Sequence, residues 1–515
     1  MATADSNTAG VEKPAEAQMA RLDSTPGLIV VGGGIAGVTC TETLSDLCPE
    51  EEITLISASP LIKTVTNFNQ ISYVLEEFEV EERPAAALQT RCQNVRVVQD
   101  MVTEIDSTNR KITMQSGLKI QYKKLCICTG GIPKLICKDN PLVLGIRDTE
   151  SVATFQKKLT GAKRVVVVGN GGIATELVYE IEGCEVVWVI KDTSISSTFV
   201  DAGAAEFFLP HLVKDKEPAQ GPLKRHKYEV ADLEAARRTQ PTKGGALGPD
   251  WNTGLDMKGQ AQGSHQVHVE YQSEVKSVWT PSEFKSSNKT ADCVPSSTTS
   301  SEKRATETTE WPVYVHLTNG KTYGCDFVVS ATGVTPNTAL FQNQINLDLA
   351  DDKGMKVDDH MRTNVEHIYA AGDVCTASWE PATHWMQMRL WSQARQMGAY
   401  AAKCMVADAT GESISQDFCF ELFAHVTKFF GYKVVLLGKY NAQDLGNEYE
   451  ILLRVSDDRE FVKVILCNGK MYGAILIGDT DLEETFENLI LNGLDLSRYG
   501  EDLLDPNIEI EDYFD

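Results

Sequence analysis

A glycine-rich turn near the N-terminus carries the first chemical signal in the sequence. Residues 32–37 read GGGIAG and stand between a short apolar run and a helical stretch. Glycine at the first, third and sixth positions permits a tight turn, close approach of the backbone to a pyrophosphate, and close packing of helix on strand. The helix N-terminus adds amide donors and partial positive charge. The pattern predicts a dinucleotide-binding turn formed by Gly32, Gly34, Ala36 and Gly37.

A second turn repeats this pattern later in the chain. It reads Gly169-x-Gly171-x-x-Ala174, and alanine is an accepted third member. Both turns lack the acidic residue that usually contacts a ribose about 20 residues later. Ser57 and Lys191 stand in those regions instead. A hydroxyl gives a weaker ribose contact, and a lysine either favours a 2′-phosphate or is a solvated surface side chain.

The elements around both turns predict a parallel sheet covered by helices. Apolar runs over 28–31 and 165–168 precede the turns, and apolar strands over 53–56 and 186–190 follow the helices. This strand–helix–strand order is typical of an α/β fold with parallel strands. The chain therefore carries two copies of one unit.

Three further segments complete the pattern and carry a family resemblance. Two predicted strands end in Thr-Gly and a third leads into Gly-Asp; these segments supply Thr129, Gly130, Gly333, Gly372 and Asp373. The order of the pieces over roughly residues 28–410 resembles the class I pyridine nucleotide–disulphide oxidoreductases. The resemblance implies that the first turn holds FAD and the second holds NAD(P)H. It also implies that Gly372 and Asp373 contact the ribityl chain and pyrophosphate of the flavin.

The resemblance further implies a lysine beside the flavin. Lys63 matches a lysine that lies next to flavin N5 in such reductases, where its charge stabilises the electron-rich reduced flavin. Glu176, the glutamate of the second turn, matches the residue that commonly pairs with it. A buried lysine needs such a partner. The alternative for Lys63 is an exposed loop position.

The sequence departs from the family at the redox-active disulphide. The family places a Cys-x4-Cys pair in the helix after the second FAD strand, whereas residues 63–68 contain no cysteine. Cys126 and Cys128 share one face of a predicted strand, where they could bind metal, form a strained disulphide, or pack in a buried sheet. We favour packing, because zinc needs two more ligands and the histidines His265 and His268 are remote in sequence.

Four other residues whose side chains could take part in chemistry are interpreted as mainly structural. Trp385, Met388 and Trp391 recur at near-helical spacing, which predicts core packing with some of them facing the flavin. His425 is the only histidine in the last 130 residues, and we expect a structural role for it.

The composition excludes several function classes. The chain of 515 residues carries 48 Lys+Arg and 73 Asp+Glu, a net charge of −25, so a basic nucleic-acid-binding face is not expected. No apolar run is long enough to predict a membrane span. The 13 cysteines lack the spacing of a disulphide framework. We therefore expect a protein of the cytoplasm or nucleus with free thiols.

The predicted fold class is α/β, with two nested doubly wound Rossmann-like nucleotide-binding domains plus a C-terminal α+β domain. The predicted segments are a flexible tail at 1–26, the FAD domain at 27–157 and 345–413, the NAD(P)H domain at 158–344 with a disordered insert at about 210–310, and the C-terminal domain at 414–515 with an acidic tail. The Ser/Thr-rich stretch 281–310 is expected to be exposed and dispensable for FAD binding.

Residues and resemblance together predict an FAD-dependent oxidoreductase. It would take a hydride from NAD(P)H and pass electrons to an unidentified acceptor (oxygen, a quinone or a protein) without an active-site disulphide. The resemblance implies a role in the oxidative-stress response of the cytoplasm and nucleus. The alternative is a flavin-containing redox sensor or binding protein whose NAD(P)H-reduced state changes partner binding. A protein partner could bind through the 210–310 insert or the acidic tail. A scaffold without flavin is a third hypothesis.

Overall fold

The structure is a computed structural model, and it describes residues 26–212, 251, 256–260, 266–294, 309–456, 459–478 and 480–505. Three predictions fall wholly or partly outside these ranges: the flexible N-terminal tail, the stretches 213–250, 252–255, 261–265 and 295–308 of the predicted insert, and the end of the acidic tail.

The first domain is built on a parallel sheet. In chain order the elements from residue 27 to residue 159 are β1 (Gly27–Val31), α1 (Ile35–Leu47), β2 (Ile53–Ser57), β3 (Leu61–Gln70), β4 (Glu76–Pro84), α2 (Ala85–Arg91), β5 (Val95–Gln99), β6 (Val102–Asp106), β7 (Lys111–Met114), β8 (Lys119–Ile127), β9 (Gly131–Pro133), β10 (Val143–Leu144) and α3 (Thr149–Leu159). Of these, β10 and the buried face of α3 pack in the second domain. The strands β5-β2-β1-β8 are parallel, and β7 and β6 extend the sheet antiparallel. The first glycine turn therefore leaves the sheet between β2 and β8.

The second domain repeats this plan. Its elements are β11 (Arg164–Val168), α4 (Gly172–Glu180), β12 (Glu185–Val189), α5 (Ala202–Phe208), a 3-10 turn (Leu209–Leu212), β13 (Gln266–Glu270), β14 (Val275–Trp279), α6 (Pro281–Ser286), β15 (Val313–Leu317), β16 (Thr322–Cys325), β17 (Phe327–Ser330), β18 (Val334–Pro336) and α7 (Ala339–Gln342). The parallel sheet has the order β10-β17-β11-β12-β13, and β14-β15-β16 form a second, antiparallel sheet. Strands β9 and β18 pair where the chain passes between the domains.

Part of the segment predicted to be disordered is ordered. Strand β13 pairs with β12 along five residues, and β14 pairs with β15. In α6, Phe284 stacks on Tyr314 with 3.8 Å between ring centroids. The prediction of disorder over 210–310 is therefore wrong for residues 266–286, because composition does not reveal strands whose partners are distant in sequence. Helix α6 has no buried residue, in agreement with the predicted exposure of its stretch.

The chain then returns to the first domain and ends in a third. The remaining elements are β19 (Met355–Val357), β20 (Ile368–Ala370), β21 (Cys375–Ala377), α8 (Trp391–Thr410), a 3-10 turn (Phe418–Phe420), β22 (Ala424–Phe429), β23 (Tyr432–Gly438), β24 (Glu450–Ser456), β25 (Glu460–Cys467), β26 (Lys470–Ile477), α9 (Glu483–Asn492) and a 3-10 turn (Gly500–Leu504). Strand β20 joins the first sheet beside β8, and β22-β23-β26-β25-β24 form an antiparallel sheet. The predicted fold class is confirmed.

The region after β2 forms a hairpin where the family resemblance implied a helix. Strands β3 and β4 pair antiparallel, with Lys63 opposite Glu82. The β-branched run Thr64, Val65 and Thr66 favours a strand. The helix that would carry a disulphide pair is therefore replaced by a hairpin that contains no cysteine.

Candidate active site

The turn after β1 is shaped for a phosphate group. Gly32 has φ +125°, and a Cβ there would lie 2.2 Å from the carbonyl oxygen of Cys128. A Cβ on Gly37 would lie 1.9 Å from the carbonyl oxygen of Gly32, so this glycine lets the helix pack on the turn. Gly34 is the N-cap of α1, has no side-chain cap, and has open space around its Cβ position. The first amides of α1 are thus available to a pyrophosphate.

The turn after β11 has the same geometry. Gly169 has φ +129°, and a Cβ there would lie 2.2 Å from the carbonyl oxygen of Ala331. Gly171 is the N-cap of α4, again without a side-chain cap and with open space beside it. Ala174, at the third position of the motif, is fully buried against the sheet. The structure therefore presents two equivalent phosphate cradles, which fit FAD and NAD(P)H.

Both turns line one cavity of about 1230 Å³. The predicted site residues that line it are Gly32, Gly34, Ala36, Ser57, Lys63, Thr129, Gly130, Gly169, Gly171, Glu176, Lys191, Gly333 and Asp373. The other three predicted residues do not line the cavity; they are Gly37, Ala174 and Gly372. A Cβ on Gly372 would lie 2.8 Å from the Ala36 side chain, so this glycine permits close packing of the loop on the first turn.

Asp373 is held by an arginine that sequence reasoning missed. The Arg147 guanidinium lies 2.9 Å from the Asp373 carboxylate, and the Arg389 side chain donates to the Asp373 carbonyl oxygen at 3.0 Å. A carboxylate beside a pyrophosphate is unfavourable unless a cation compensates its charge. Arg147 supplies that charge, so Asp373 is compatible with the flavin contact that the resemblance implied.

Ser57, at the end of β2, stands where a ribose ligand was predicted. Its hydroxyl donates to the carbonyl oxygen of Ser59 at 3.0 Å, and the side chain is 2% exposed. A Cβ on Gly33 would lie 2.4 Å from the Ser57 hydroxyl oxygen, so the turn approaches this side chain closely. That closeness favours a small residue over an acidic one. The ribose contact itself stays a prediction.

The carboxylate that the structure shows beside Lys63 is Glu82. Their side chains lie 4.0 Å apart, and the side chains are 18% and 2% exposed. Burial lowers the pKa of Lys63 to about 8, and Glu82 acts in the opposite direction. Lys63 lines the cavity, so the alternative of an exposed loop lysine is wrong. Glu82 was missed because only the register of the hairpin brings it to Lys63.

Glu176 lies on α4 and faces the same cavity. Its carboxylate accepts a hydrogen bond from the indole nitrogen of Trp251. The predicted pairing of Glu176 with Lys63 stays a prediction, and the structure adds Glu82 as a carboxylate partner of that lysine.

Cys126, on β8, and Cys128, directly after it, are buried thiols. The sulphur atoms of Cys126 and Cys128 lie 3.5 Å apart, as free thiols. The hydrogen bond with Cys126 and burial raise the pKa of Cys128, which disfavours the reactive thiolate. Within the described part of the chain no group of histidine, cysteine and acidic residues is arranged to hold a metal. These observations agree with packing as their role. His265 lies outside the described residues.

The aromatic residues near α8 divide between core and cavity. Trp385 is buried in the core, whereas Met388 and Trp391 line the cavity. Trp391 is the first residue of α8, whose N-cap has no side-chain hydrogen bond. His425 is buried against Trp391, and its Nδ1 lies 3.0 Å from the Ser392 hydroxyl. Burial lowers the pKa of His425 to about 3, so this histidine is neutral and cannot serve as a cationic acid near neutral pH.

A second acidic residue that sequence reasoning missed lies at the NAD(P)H turn. The side-chain amide of Asn170 donates to the Asp192 carboxylate at 2.8 Å, which fixes this acid beside the glycine turn. Asp192 lines the cavity next to the exposed Lys191. The sequence signal that could have identified Asp192 is its position directly after Lys191, shortly after the end of β12.

Comparisons with known proteins agree with this geometry. A model of the pyridine nucleotide-disulphide oxidoreductase family matches residues 26–216 and 282–398, and one of the rubredoxin NAD+ reductase C-terminal domain matches residues 424–494. Pyridine nucleotide-disulfide oxidoreductase domain-containing protein 1 of Homo sapiens is 56% identical over 503 residues, 97% of this chain and 100% of the relative. The protein of the same name from Drosophila melanogaster is 46% identical over 498 residues, 95% of this chain and 98% of the relative.

Solved structures share the fold. The covalent putidaredoxin reductase–putidaredoxin complex has a TM-score of 0.61 at 15% identity, covering 96% of this chain and 99% of that chain. A water-forming NADH oxidase from Lactobacillus brevis bound to NADH has a TM-score of 0.60 at 16% identity, covering 94% of each chain. Among the described helices, none is both long and apolar enough to cross a membrane. By family match, close relatives and fold, the chain belongs to the pyridine nucleotide-disulphide oxidoreductase family.

Proposed function

We propose that this flavin oxidoreductase takes a hydride from NAD(P)H and delivers electrons to an acceptor without an active-site disulphide. The observation that carries the proposal is the convergence of two equivalent glycine turns on one cavity. FAD, when bound, supplies the hydride-accepting chemistry. The protein binds the two dinucleotides, orients them towards each other, and places the Lys63 charge in the same cavity.

The residues after β2 support chemistry that needs no thiol relay. The hairpin β3–β4 occupies the position of the family's disulphide helix and carries no cysteine. The buried thiols of Cys126 and Cys128 lie at the end of β8, and the pKa of Cys128 is raised. Sulphur-directed activity, which the family name suggests, is therefore not part of the proposal.

The acceptor is proposed by class only. One structure with this fold is a reductase joined to putidaredoxin, and another is a water-forming NADH oxidase. These two structures support testing a ferredoxin-type protein and oxygen first as electron acceptors, and a quinone after them. Activity in the oxidative-stress response, in the cytoplasm and nucleus, is a further proposal that rests on sequence resemblance alone.

The proposal is tested by purifying the full chain, recording the visible flavin spectrum, and following NAD(P)H oxidation with each acceptor. Yellow protein with multiple turnovers supports the enzyme. A single slow reduction that no acceptor accelerates would favour the redox sensor, and colourless protein would favour the scaffold.

We expect one hydride equivalent per FAD in anaerobic titration with NAD(P)H. The physical reason is that a second equivalent needs a cystine near the flavin, whereas the hairpin β3–β4 that stands in place of the disulphide helix contains no cysteine. The oxidised flavin band should bleach in one phase, without a thiolate–flavin charge-transfer band. Uptake of a second equivalent that thiol alkylation abolishes would refute the flavin-only mechanism.

We propose that Asp192 favours NADH over NADPH. A carboxylate at this position accepts a hydrogen bond from a ribose 2′-hydroxyl and repels a 2′-phosphate. We expect Asp192→Ala to lower kcat/KM for NADH about tenfold, the value of a hydrogen bond to a charged group. The value for NADPH should not fall. Lys163→Ala, at the opposite end of the same sheet, is the control. Equal losses for both nucleotides would show that Asp192 acts only through the turn.

A further inference from the structure

The edge strand of the C-terminal sheet exposes an apolar stripe. Strand β24 is the last strand in the order β22-β23-β26-β25-β24. Its residues Ile451, Leu453 and Val455 are 49%, 54% and 52% exposed. Alternate residues of a strand share one face, so these three side chains form one continuous stripe.

The stripe continues a face that is buried elsewhere in the sheet. The β25 residues opposite the stripe are Ile465, Lys463 and Phe461. They are only 1% to 2% exposed, because other parts of the protein cover them. The β24 residues on this face are apolar as well, but about half of each remains exposed. A free sheet edge beside an apolar stripe is a template for an added strand.

The C-terminus of the described chain reaches this edge. The 3-10 turn at Gly500–Leu504 buries Leu503 and Leu504 in the core of the C-terminal domain. The Arg454 side chain on β24 donates to the carbonyl oxygen of Leu504 at 3.2 Å. The chain therefore leaves the described region at Asp505, next to β24.

The remaining length and pattern of the chain fit the edge. Residues 506–515 follow Asp505, and ten extended residues reach about 33 Å, against about 23 Å for the seven residues of β24. Pro506 is tolerated as the first residue of an edge strand. Ile508 and Ile510 alternate with Glu509 and Glu511.

We propose that residues 506–515 dock on β24 as a sixth strand of the C-terminal sheet. In that arrangement Ile508 and Ile510 cover the stripe around Leu453. Glu509 then falls on the opposite face, the face of Arg454, where opposite charges meet across the strands. The proposal adds an intramolecular interaction surface to the protein and is independent of the proposed enzyme activity.

The test compares the full chain with a variant that ends at Asp505. Amide hydrogen exchange of residues 450–456 is measured in both proteins at two protein concentrations. We expect the β24 amides that do not face β25 to exchange at least about tenfold faster in the truncated protein. A synthetic peptide with the sequence of residues 506–515 should restore protection. The same peptide with both isoleucines replaced by aspartate should not.

Each outcome decides the proposal. Equal exchange in both proteins at both concentrations would overturn it. Protection that falls on dilution and survives truncation would assign the edge to a second copy of the chain and would also overturn it. Full-length protein carrying Asp515→Asn is the matched control and should keep its protection. FAD content measured alongside reports whether truncation has disturbed the rest of the fold.

Discussion

Replacing Gly32 with alanine is expected to give protein without FAD, whereas replacing Gly169 should give yellow protein that no longer binds NAD(P)H. Both glycines have left-handed φ angles, +125° and +129°. An alanine Cβ would lie 2.2 Å from a backbone carbonyl oxygen in each case, that of Cys128 or that of Ala331. Backbone atoms cannot rotate away as a side chain can, so each turn must deform and lose its phosphate cradle.

The paired design separates the two nucleotide sites. Flavin content is measured from the visible spectrum of the purified protein, and NAD(P)H binding from its fluorescence. A strain of about 3 kcal/mol corresponds to at least roughly 100-fold in affinity at the affected site. Gly161→Ala is the matched control, because the Cβ would enter open space, and it should bind both nucleotides normally. Normal FAD content in the Gly32 variant would contradict the assignment of the first turn.

The glycine turns were predictable because their geometry is local. A strand, a turn and a helix are contiguous in sequence, so the spacing of Gly32, Gly34 and Gly37 already specifies the shape of the cradle.

The missed site residues depend on contacts between distant segments. Arg147 meets Asp373 across more than two hundred residues of sequence, and Glu82 meets Lys63 only through the register of β3 and β4. Composition indicated disorder for the segment that contains β13 and β14, because these strands have few large apolar residues. They are ordered because they pair with β12 and β15, which composition does not reveal. No local pattern carries that information.

Lys63→Ala is expected to slow reduction of the flavin by NAD(P)H about 100-fold while leaving FAD bound, as loss of one preorganised charge typically does. Lys63 lines the cavity and its pKa is lowered to about 8 by burial. The charged form is the one that stabilises added negative charge. The reduction rate of the unmodified protein should therefore be high below about pH 8 and fall above it.

Two variants test the cause of that pH dependence in stopped-flow experiments. Lys63→Arg keeps its charge at all accessible pH values and should remove the fall above about pH 8. Glu82→Gln removes the carboxylate that raises the pKa of Lys63, so the fall should move to lower pH. A pH profile that is identical in all three proteins would show that another group titrates.

The double variant of Lys63 and Glu176 tests which carboxylate pairs with this lysine. If the two residues pair across the nucleotide domains, Glu176→Ala slows reduction by itself, and the losses of the two single variants are not additive. Glu82→Ala gives the matched cycle for the carboxylate that lies 4.0 Å from Lys63. Additive losses with Glu176 and non-additive losses with Glu82 would assign the partner to the hairpin, because only residues in contact share an interaction energy. The charge beside the flavin would then be set within the FAD domain alone, and NAD(P)H binding would not alter it through Glu176.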